Sequence, residues 1–303
     1  MSEPLLLIDA YSQIFRCYFG VRPLNNSRGD PTNALPPFAR MLLKLRAEFP
    51  EARGALVFDC GKVRFREELN PAYKANRPPA PPDLKAQVPV IRELAAAFGW
   101  TLLEEPEYEA DDLIAALALD YPGPVRILTG DKDLSQLVDD RISILAPDPK
   151  AGWEVRDRAA TVAKFGVRPD QLVDYLSLLG DSADNIAGVP GIGPKTAAEL
   201  LSRHGSLEAM LAAPEAIVNE RHRRLLLENR ELLARNQKLI ALRTALPARL
   251  ESAAAACARL EPAWEKVRAV CERMELRSIL KALPQEETAR EPEAVQGDLF
   301  AGL

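Results

Sequence analysis

Three short apolar runs frame the first half of the chain. Leu5-Leu6-Leu7-Ile8 ends in Asp9, Ala55-Leu56-Val57-Phe58 ends in Asp59, and Val125-Arg126-Ile127-Leu128 leads through Thr129-Gly130 to Asp131. Unbroken apolar runs of this length, bounded by turn residues, predict strands buried on both faces. Between them the apolar positions take a helical period over Ala34 to Phe49, Leu84 to Phe98 and Asp111 to Tyr121. Strands alternating with helices predict a parallel sheet, because each crossover helix returns the chain to the same edge. From about Ala159 the strand pattern stops. Ala160 to Phe165, Pro169 to Leu179, Pro194 to His204, Ser206 to Ala212 and Ile217 to Leu242 read as helices, and Pro247 closes that run. Ala253 to Ala258 and Trp264 to Leu283 read as further helix. The pattern divides the chain into an α/β core at 1–158, an all-helical domain at 159–283 and a polar, acidic tail at 284–303 expected to be disordered. A Pro-rich connector, Arg77 to Pro82, reads as stiff.

Composition narrows the chemistry. At 303 residues, 47% hydrophobic and 27% charged, the chain can bury a core without staples. No apolar run approaches the roughly 20 residues of a membrane span, so no membrane partner is expected. The opening MSEPLLLID carries no basic leader and makes a poor signal peptide. Four dispersed cysteines (Cys17, Cys60, Cys257, Cys271) fit no zinc spacing and point to a reducing cytoplasm. The two histidines, His204 and His222, leave little room for a Ser-His-Asp triad or a histidine-rich metal site. Chemistry must then rest on carboxylates and cations. The net charge of −5 conceals segregation. Lys62 to Arg77 carries five basic against two acidic residues, Glu220 to Arg243 seven against three, and the tail one against five. A near-neutral body with basic stripes can hold a polyanion locally, although solvated helix faces give the same pattern.

Each predicted strand delivers an Asp at or just past its C-terminal end, which is where open α/β sheets bind ligands. Further acids stand in Glu109-Ala110-Asp111-Asp112, in Asp131-Lys132-Asp133 and in Gly180-Asp181-Ser182-Ala183-Asp184. Acids in a first helical turn also serve as caps. Glu109 and Asp112, three apart, can share a helix face. Asp131 and Asp133 are placed to converge on one cation. If Asp9, Asp59, Glu109, Asp111, Asp112, Asp131, Asp133, Asp181 and Asp184 meet at one sheet edge, their repulsion demands counter-ions. Oxygen-only donors suit Mg²⁺ or Mn²⁺ rather than zinc. Two such ions about 3.5–4 Å apart clamp a phosphodiester.

Two further strings bear on phosphate. In Gly188-Val189-Pro190-Gly191-Ile192-Gly193-Pro194-Lys195-Thr196 the glycines permit close backbone approach, Pro194 opens a helix, and Lys195 adds charge to its N–H groups. The string resembles a helix-hairpin-helix, which grips nucleic-acid backbone without reading bases; a tight turn between packed helices is the alternative, and the full string favours phosphate. In Arg64 to Arg77, Arg66, Lys74 and Arg77 fall roughly on helical spacing, and Tyr73 could stack on a base, although taken alone the segment reads more readily as a solvated amphipathic face.

The order of these strings resembles the 5′-3′ exonuclease and flap endonuclease family, in particular the N-terminal nuclease domain of bacterial DNA polymerase I. LLLIDAYSQIFRCYF, VFDCGKVRFREELNPAYKANRPPAPPDL, EYEADDLIAALA, ILTGDKDLSQLV and GDSADNIAGVPGIGPKTAAELL stand in the family's order over roughly residues 4–280. The resemblance implies a PIN-like parallel-sheet core with a helical arch at about 64–100, then a helical domain with the hairpin at about 180–204. It implies a first metal group of Asp9, Asp59, Glu109 and Asp111 with Asp112 adjoining, and a second of Asp131, Asp133 and Asp184 with Asp181 nearby. Tyr73, Lys74 and Arg77 match arch-base residues near the scissile phosphate. Arg66, Gly191, Gly193, Lys195 and Thr196 match DNA-contacting positions. Two or more Mg²⁺ or Mn²⁺ ions are implied, with K⁺ a further candidate at the hairpin, and the expected partner is DNA with a 5′ flap, nick or primer junction in a bacterial nucleoid. Ala10 stands where the family usually has Gly. The chain stops where the polymerase would continue, which predicts a free-standing nuclease. In the tail, Gln296, Leu299 and Phe300 resemble a sliding-clamp-binding peptide, the two apolar side chains filling a pocket from a tether. A non-catalytic junction-binding scaffold and a structured-RNA nuclease remain as alternatives.

Overall fold

The computed structural model of the protein describes residues 3–61, 63–148 and 150–284. The main sheet has six strands, β1 (Leu5–Asp9), β2 (Arg53–Val57), β3 (Thr101–Leu103), β4 (Val125–Leu128), β5 (Ile142–Asp148) and β6 (Gly152–Arg156), in the order β3-β2-β1-β4-β5-β6. The first five are parallel, and β6 returns antiparallel along β5. β1 sits centrally, with Ile8 opposite both Leu56 and Leu128. Its alternating side chains divide between two cores. Leu6 and Ile8 pack with Phe38, Leu42 and Leu94 on one face, while Leu5 and Leu7 pack with Ile114, Leu117 and Ile127 on the other. That double burial is why the strand reads as a continuous apolar run.

The helices of this half are α1 (Ala10–Phe19), α2 (Leu35–Glu48), α3 (Arg64–Leu69), α4 (Pro82–Ala97) and α5 (Ala110–Asp120). The chain steps outward from β1 to β3, then returns to β4 on the other side. The crevice between the C-terminal ends of β1 and β4 is the switch point where such sheets take ligands. The expected arch over 64–100 is corrected here. α3 is short, and α4 buries Leu84, Ile91, Leu94 and Ala95 in the core rather than standing off it. The segment near the switch point is α3 and the turns at 71–76.

The second half contains α6 (Arg158–Phe165), α7 (Leu172–Leu179), the hairpin strands β7 (Gly180–Asp181) and β8 (Ile186–Ala187), α8 (Pro194–His204), α9 (Leu207–Ala212), α10 (Glu220–Glu228) and α11 (Arg230–Ile240). Leu172, Leu176, Leu201, Leu207, Leu233 and Leu239 form its core. The run predicted over Ile217 to Leu242 divides at Asn229, whose φ of −109° and ψ of 21° leave the helical path between α10 and α11. Then come α12 (Ala253–Ala256), α13 (Trp264–Arg273) and α14 (Arg277–Leu280), with the α13–α14 break at Glu275, φ +58°. These last helices overturn the boundary at 159–283. Val267, Cys271, Leu276 and Ile279 join the core of Phe38 and Leu94, and Ala253 and Cys257 join that of α5. The chain therefore leaves the α/β unit near residue 158 and returns to it. Amphipathic period marks a buried face but does not say which partner buries it.

Two glycines set the β7–β8 hairpin. A Cβ at Gly180, whose φ is +75°, would lie 2.3 Å from the Gly188 nitrogen, and one at Gly188 would lie 2.1 Å from the Leu179 carbonyl oxygen. Only glycine permits this approach, and it holds Asp181 and the following turn against α7. Among the described residues no helix is long and apolar enough to cross a membrane.

Candidate active site

At the switch point a cavity of about 460 Å³ is lined by Asp9, Asp59, Asp111 and Asp131 together with Lys74 and Arg77. Four elements deliver the acids. Asp9 ends β1 and caps α1, accepting from the Ser12 backbone N–H at 3.1 Å. Its other oxygen accepts from the Thr129 hydroxyl at 2.9 Å, and that hydroxyl accepts from the Asp131 N–H at 2.9 Å. Thr129 thus ties the ends of β1 and β4 together. Asp59 follows β2 and accepts from the Ala110 N–H at 2.9 Å, the first residue of α5. Asp111 enters from that same first turn. The Ser12 hydroxyl accepts from the Gly130 N–H at 3.0 Å, closing the floor. Tyr11 and Phe15 complete the wall.

A second acid group adjoins it. Oxygens of Asp133, Asp181 and Asp184 lie within 4.8 Å of one another. Asp131, which lines the first cavity, is tied to this group as well, accepting from the Asp133 N–H at 2.8 Å. Lys132 forms ion pairs with Asp181 and, at 3.8 Å, with Asp133. One Asp133 oxygen is buried without a hydrogen-bond partner. Asn76 Nδ2 donates to the Ser182 carbonyl at 2.8 Å and Asn185 Nδ2 to the Ala72 carbonyl at 2.7 Å, stitching the 70–76 turns to the 182–185 turn.

Cations bridge the two groups. Lys74 Nζ donates to Glu109 at 2.8 Å and lies 4.0 Å from Asp184, while Arg77 donates to Asp184 at 2.5 Å. Lys74 takes a left-handed backbone, φ +54°, and its N–H donates to the Asp184 carbonyl at 3.0 Å. That conformation is uncommon for a non-glycine residue and concentrates at functional sites. Tyr73 changes role. Its ring is buried in the helical core, and its hydroxyl sits 3.1 Å from Glu109 and 3.2 Å from Asp184, so it links acids instead of stacking on a base. Glu109 and Tyr73 line an adjoining cavity of about 270 Å³ shared with Asp59, Lys74 and Arg77.

Two expectations fail for the same reason. Arg66 is 1% exposed and cannot contact DNA, and Asp112 is 0% exposed and has no face toward the cavity. They bind each other through two hydrogen bonds of 2.6 and 2.7 Å. Gly191, Gly193 and Lys195 are exposed at the start of α8, with Thr196 half-buried beside them, well placed on one turn. A Cβ at Gly193 would meet no atom within 4 Å, so the protein's own packing does not demand glycine there. Gln296, Leu299 and Phe300 lie outside the described residues. Ser12, Thr129 and Lys132 had no assigned role in the sequence. The one signal for them was their position beside the strand-end acids.

Burial, and after it charge crowding, leaves its mark on the acids. Burial pushes Asp9 up to about 7, against its hydrogen bonds from Ser12 and Thr129 and with repulsion from Asp59 and Asp131. Burial and then Asp131 push Asp133 up to about 7, against the pull of Lys132. Burial, Asp131 and Asp9 hold Asp111 well above the usual range. Burial and the charges of Glu109 and Asp184 raise the Tyr73 phenol, so it stays a donor. Burial alone would lower Lys74, but Glu109 and Asp184 outweigh it and raise the ammonium, which stays charged. A consequence for stability follows from Asp9. In the unfolded chain it titrates near 3.8. Between 3.8 and 7 the folded state holds a proton that the unfolded state has lost, so stability rises as pH falls through 7 and is lost above it. In EDTA at pH 8, Asp9→Asn should raise Tm by roughly 2–6 °C. At pH 5.5 the gain should shrink, because the native Asp9 is by then protonated. Calorimetry at both pH values checks this, and an equal gain at both contradicts it.

Comparison with known proteins matches both halves. Residues 4–166 match the 5′-3′ exonuclease N-terminal resolvase-like domain, and residues 167–263 the 5′-3′ exonuclease C-terminal SAM fold. A 5′-3′ exonuclease of Aquifex aeolicus is 38% identical over 283 residues, covering 92% of this chain and 94% of its own. Thermostable DNA polymerase I of Thermus thermophilus is 40% identical over 284 residues, 91% of this chain but 32% of the polymerase, so the chain spans about a third of that relative. Among solved structures, the bacteriophage T5 flap endonuclease superposes with TM-score 0.63 at 21% identity over 92% of this chain and 97% of its own. The catalytic core of Rad2 does so with TM-score 0.62 at 17% identity over 93% and 92%. At those identities they speak for the fold. The fold, the acid-lined switch point and a relative matched almost end to end agree: the chain belongs to the 5′-3′ exonuclease family.

Proposed function

We propose that the protein is a divalent-metal-dependent 5′-3′ exonuclease and 5′-flap endonuclease. It hydrolyses phosphodiester bonds in DNA, and in RNA primers, at flaps, nicks and primer junctions during replication and repair. One observation carries the reading: acids from four separate elements line a single cavity together with Lys74 and Arg77. Structural neighbours described with DNA, and with DNA and metal ions, support it.

The residues fit a hard divalent cation. The donors are all oxygens, which suits Mg²⁺ or Mn²⁺. The Asp133 oxygen that accepts no hydrogen bond and lies 3.8 Å from Lys132, together with the raised acids, marks negative charge with too little counter-charge. Asp9, Asp59, Asp111 and Asp131, with Glu109, would hold one ion; Asp133, Asp181 and Asp184 would hold another. Bound there, such ions supply Lewis-acid polarisation of the phosphate and lower the pKa of water. Thr129 and Ser12 keep Asp9 oriented. Tyr73 holds Glu109 and Asp184 in fixed relation. Lys74 and the half-exposed Arg77 offset charge on the phosphate. At the hairpin, Gly191, Gly193, Lys195 and Thr196 hold duplex backbone, with K⁺ as a further ligand of that turn.

A labelled 5′-flap duplex tests the reading. Cleavage is expected in Mg²⁺ and none in EDTA; a non-catalytic scaffold would bind the flap and release no product. Matched DNA and RNA flaps separate the structured-RNA reading. Asp131→Ala should cost roughly 10²–10³-fold or more in kcat with junction binding retained, and full turnover by it refutes the site. Lys195→Ala should lower the slope of log K against log salt by about 1; an unchanged slope removes Lys195 from the interface. For the tail, we propose that Gln296, Leu299 and Phe300 dock on a sliding clamp, raising local concentration at junctions. Deleting 296–303 should weaken clamp binding and spare intrinsic cleavage. Undiminished clamp binding rules the docking out.

A further inference from the structure

The Arg66–Asp112 pair is more elaborate than cohesion requires. Both side chains are removed from water. Arg66, on α3, spends its donors on α5 and on the end of α11. Its terminal nitrogens hold both oxygens of Asp112, its Nε donates to the Leu239 carbonyl at 3.0 Å, and one nitrogen lies 3.5 Å from the Ala241 carbonyl. Asp112 answers with two further bonds, accepting from the Arg243 N–H at 2.9 Å and from the Glu109 N–H at 3.3 Å. Arg66 also reaches the Glu109 carboxylate at 3.4 Å. Around them, the Arg243 guanidinium stacks 4.2 Å from the Phe65 ring and 5.4 Å from the Tyr108 ring.

Burying two charges costs several kcal/mol each before their attraction offsets it, and an apolar pair of like volume often serves cohesion equally well. An apolar pair cannot make directed bonds. Those bonds join α3, the first turn of α5 and the chain leaving α11, and both members of the pair reach Glu109, Asp112 at the Glu109 backbone N–H and Arg66 at the Glu109 carboxylate. Glu109 in turn meets Lys74 and Tyr73.

We propose that Arg66 and Asp112 are positioning residues, a buried strut that sets Glu109 and makes its placement depend on how the end of α11 is seated. The inference deepens the nuclease reading and rests on it for the kinetic part of its test. Neither residue touches substrate. The strut explains why two charged residues sit beside the acid bowl without lining it.

The test uses the full chain with Asp112→Asn, Arg66→Met and the double variant Arg66→Met/Asp112→Leu. Mn²⁺ affinity is read by calorimetry without DNA, Tm by circular dichroism, and kcat and KM on the labelled flap. Asp112→Asn is expected to stay folded and to lose roughly 10–100-fold in Mn²⁺ affinity and in kcat, with KM unchanged. Arg66→Met lowers Tm by leaving a buried carboxylate unpaired. The double variant recovers that Tm but not the Mn²⁺ affinity or kcat. Recovery of all three together overturns the proposal, because the pair then only stabilises. So does a raised KM at constant kcat, which marks a DNA contact, and so does an Asp112→Asn enzyme equal to the native one. If the native protein cleaves nothing while the variants still lose Mn²⁺ affinity, the nuclease reading fails and the strut stands.

Discussion

Like charge held close in one bowl is the constraint on which this molecule turns. Four acids line one cavity and three more adjoin it. Folding buries them beside one another, and burial first, then repulsion, pushes Asp9, Asp111 and Asp133 toward neutrality. The protein supplies part of the compensation itself. Lys74, Arg77 and Lys132 are ion-paired to Glu109, Asp184, Asp181 and Asp133, and Thr129 and backbone N–H groups bond Asp9, Asp59 and Asp131. What they leave uncompensated is a preference for hard cations. Stability is sacrificed there for a site that is organised in advance.

The same constraint explains why neither half suffices. The sheet contributes acids at the ends of β1, β2 and β4, and the helical segment contributes Asp181 and Asp184 on a hairpin that exists because Gly180 and Gly188 allow it. Lys74 and Arg77 stand between α3 and α4, on a segment sewn by asparagines to the 182–185 turn, and Lys132 follows β4. Tyr73 joins Glu109 of one half to Asp184 of the other. The arrangement is closer to a keyed joint than to two domains on a hinge.

What could be read from the sequence followed from physical visibility. Strands buried on both faces announce themselves as apolar runs, and an Asp at the end of each is conspicuous, so the sheet and its acid edge were legible. β3 is three residues long and β6 is half exposed, and neither leaves such a run. Arg66 and Asp112 were misread because a charged side chain shows its type but not its partner, and the two lie 46 residues apart. Tyr73 was misread for the same reason: an aromatic beside basic residues suits a stack and suits a core equally. The return of α12 to α14 was invisible, since helical periodicity names no neighbour. The arch failed because α4 carries a core-facing stripe that had already been recognised as helix but not as packing.

That return has a bearing on biosynthesis. Val267, Cys271, Leu276 and Ile279 cover apolar surface on α2 and α4 that is made some two hundred residues earlier. During translation α2 and α4 emerge with that surface uncovered until α13 and α14 have been made. The nuclease core cannot be completed vectorially. Premature termination before residue 253 would leave the acids in place on a body whose greasy side is open, a form suited to chaperone capture rather than to work on nucleic acid.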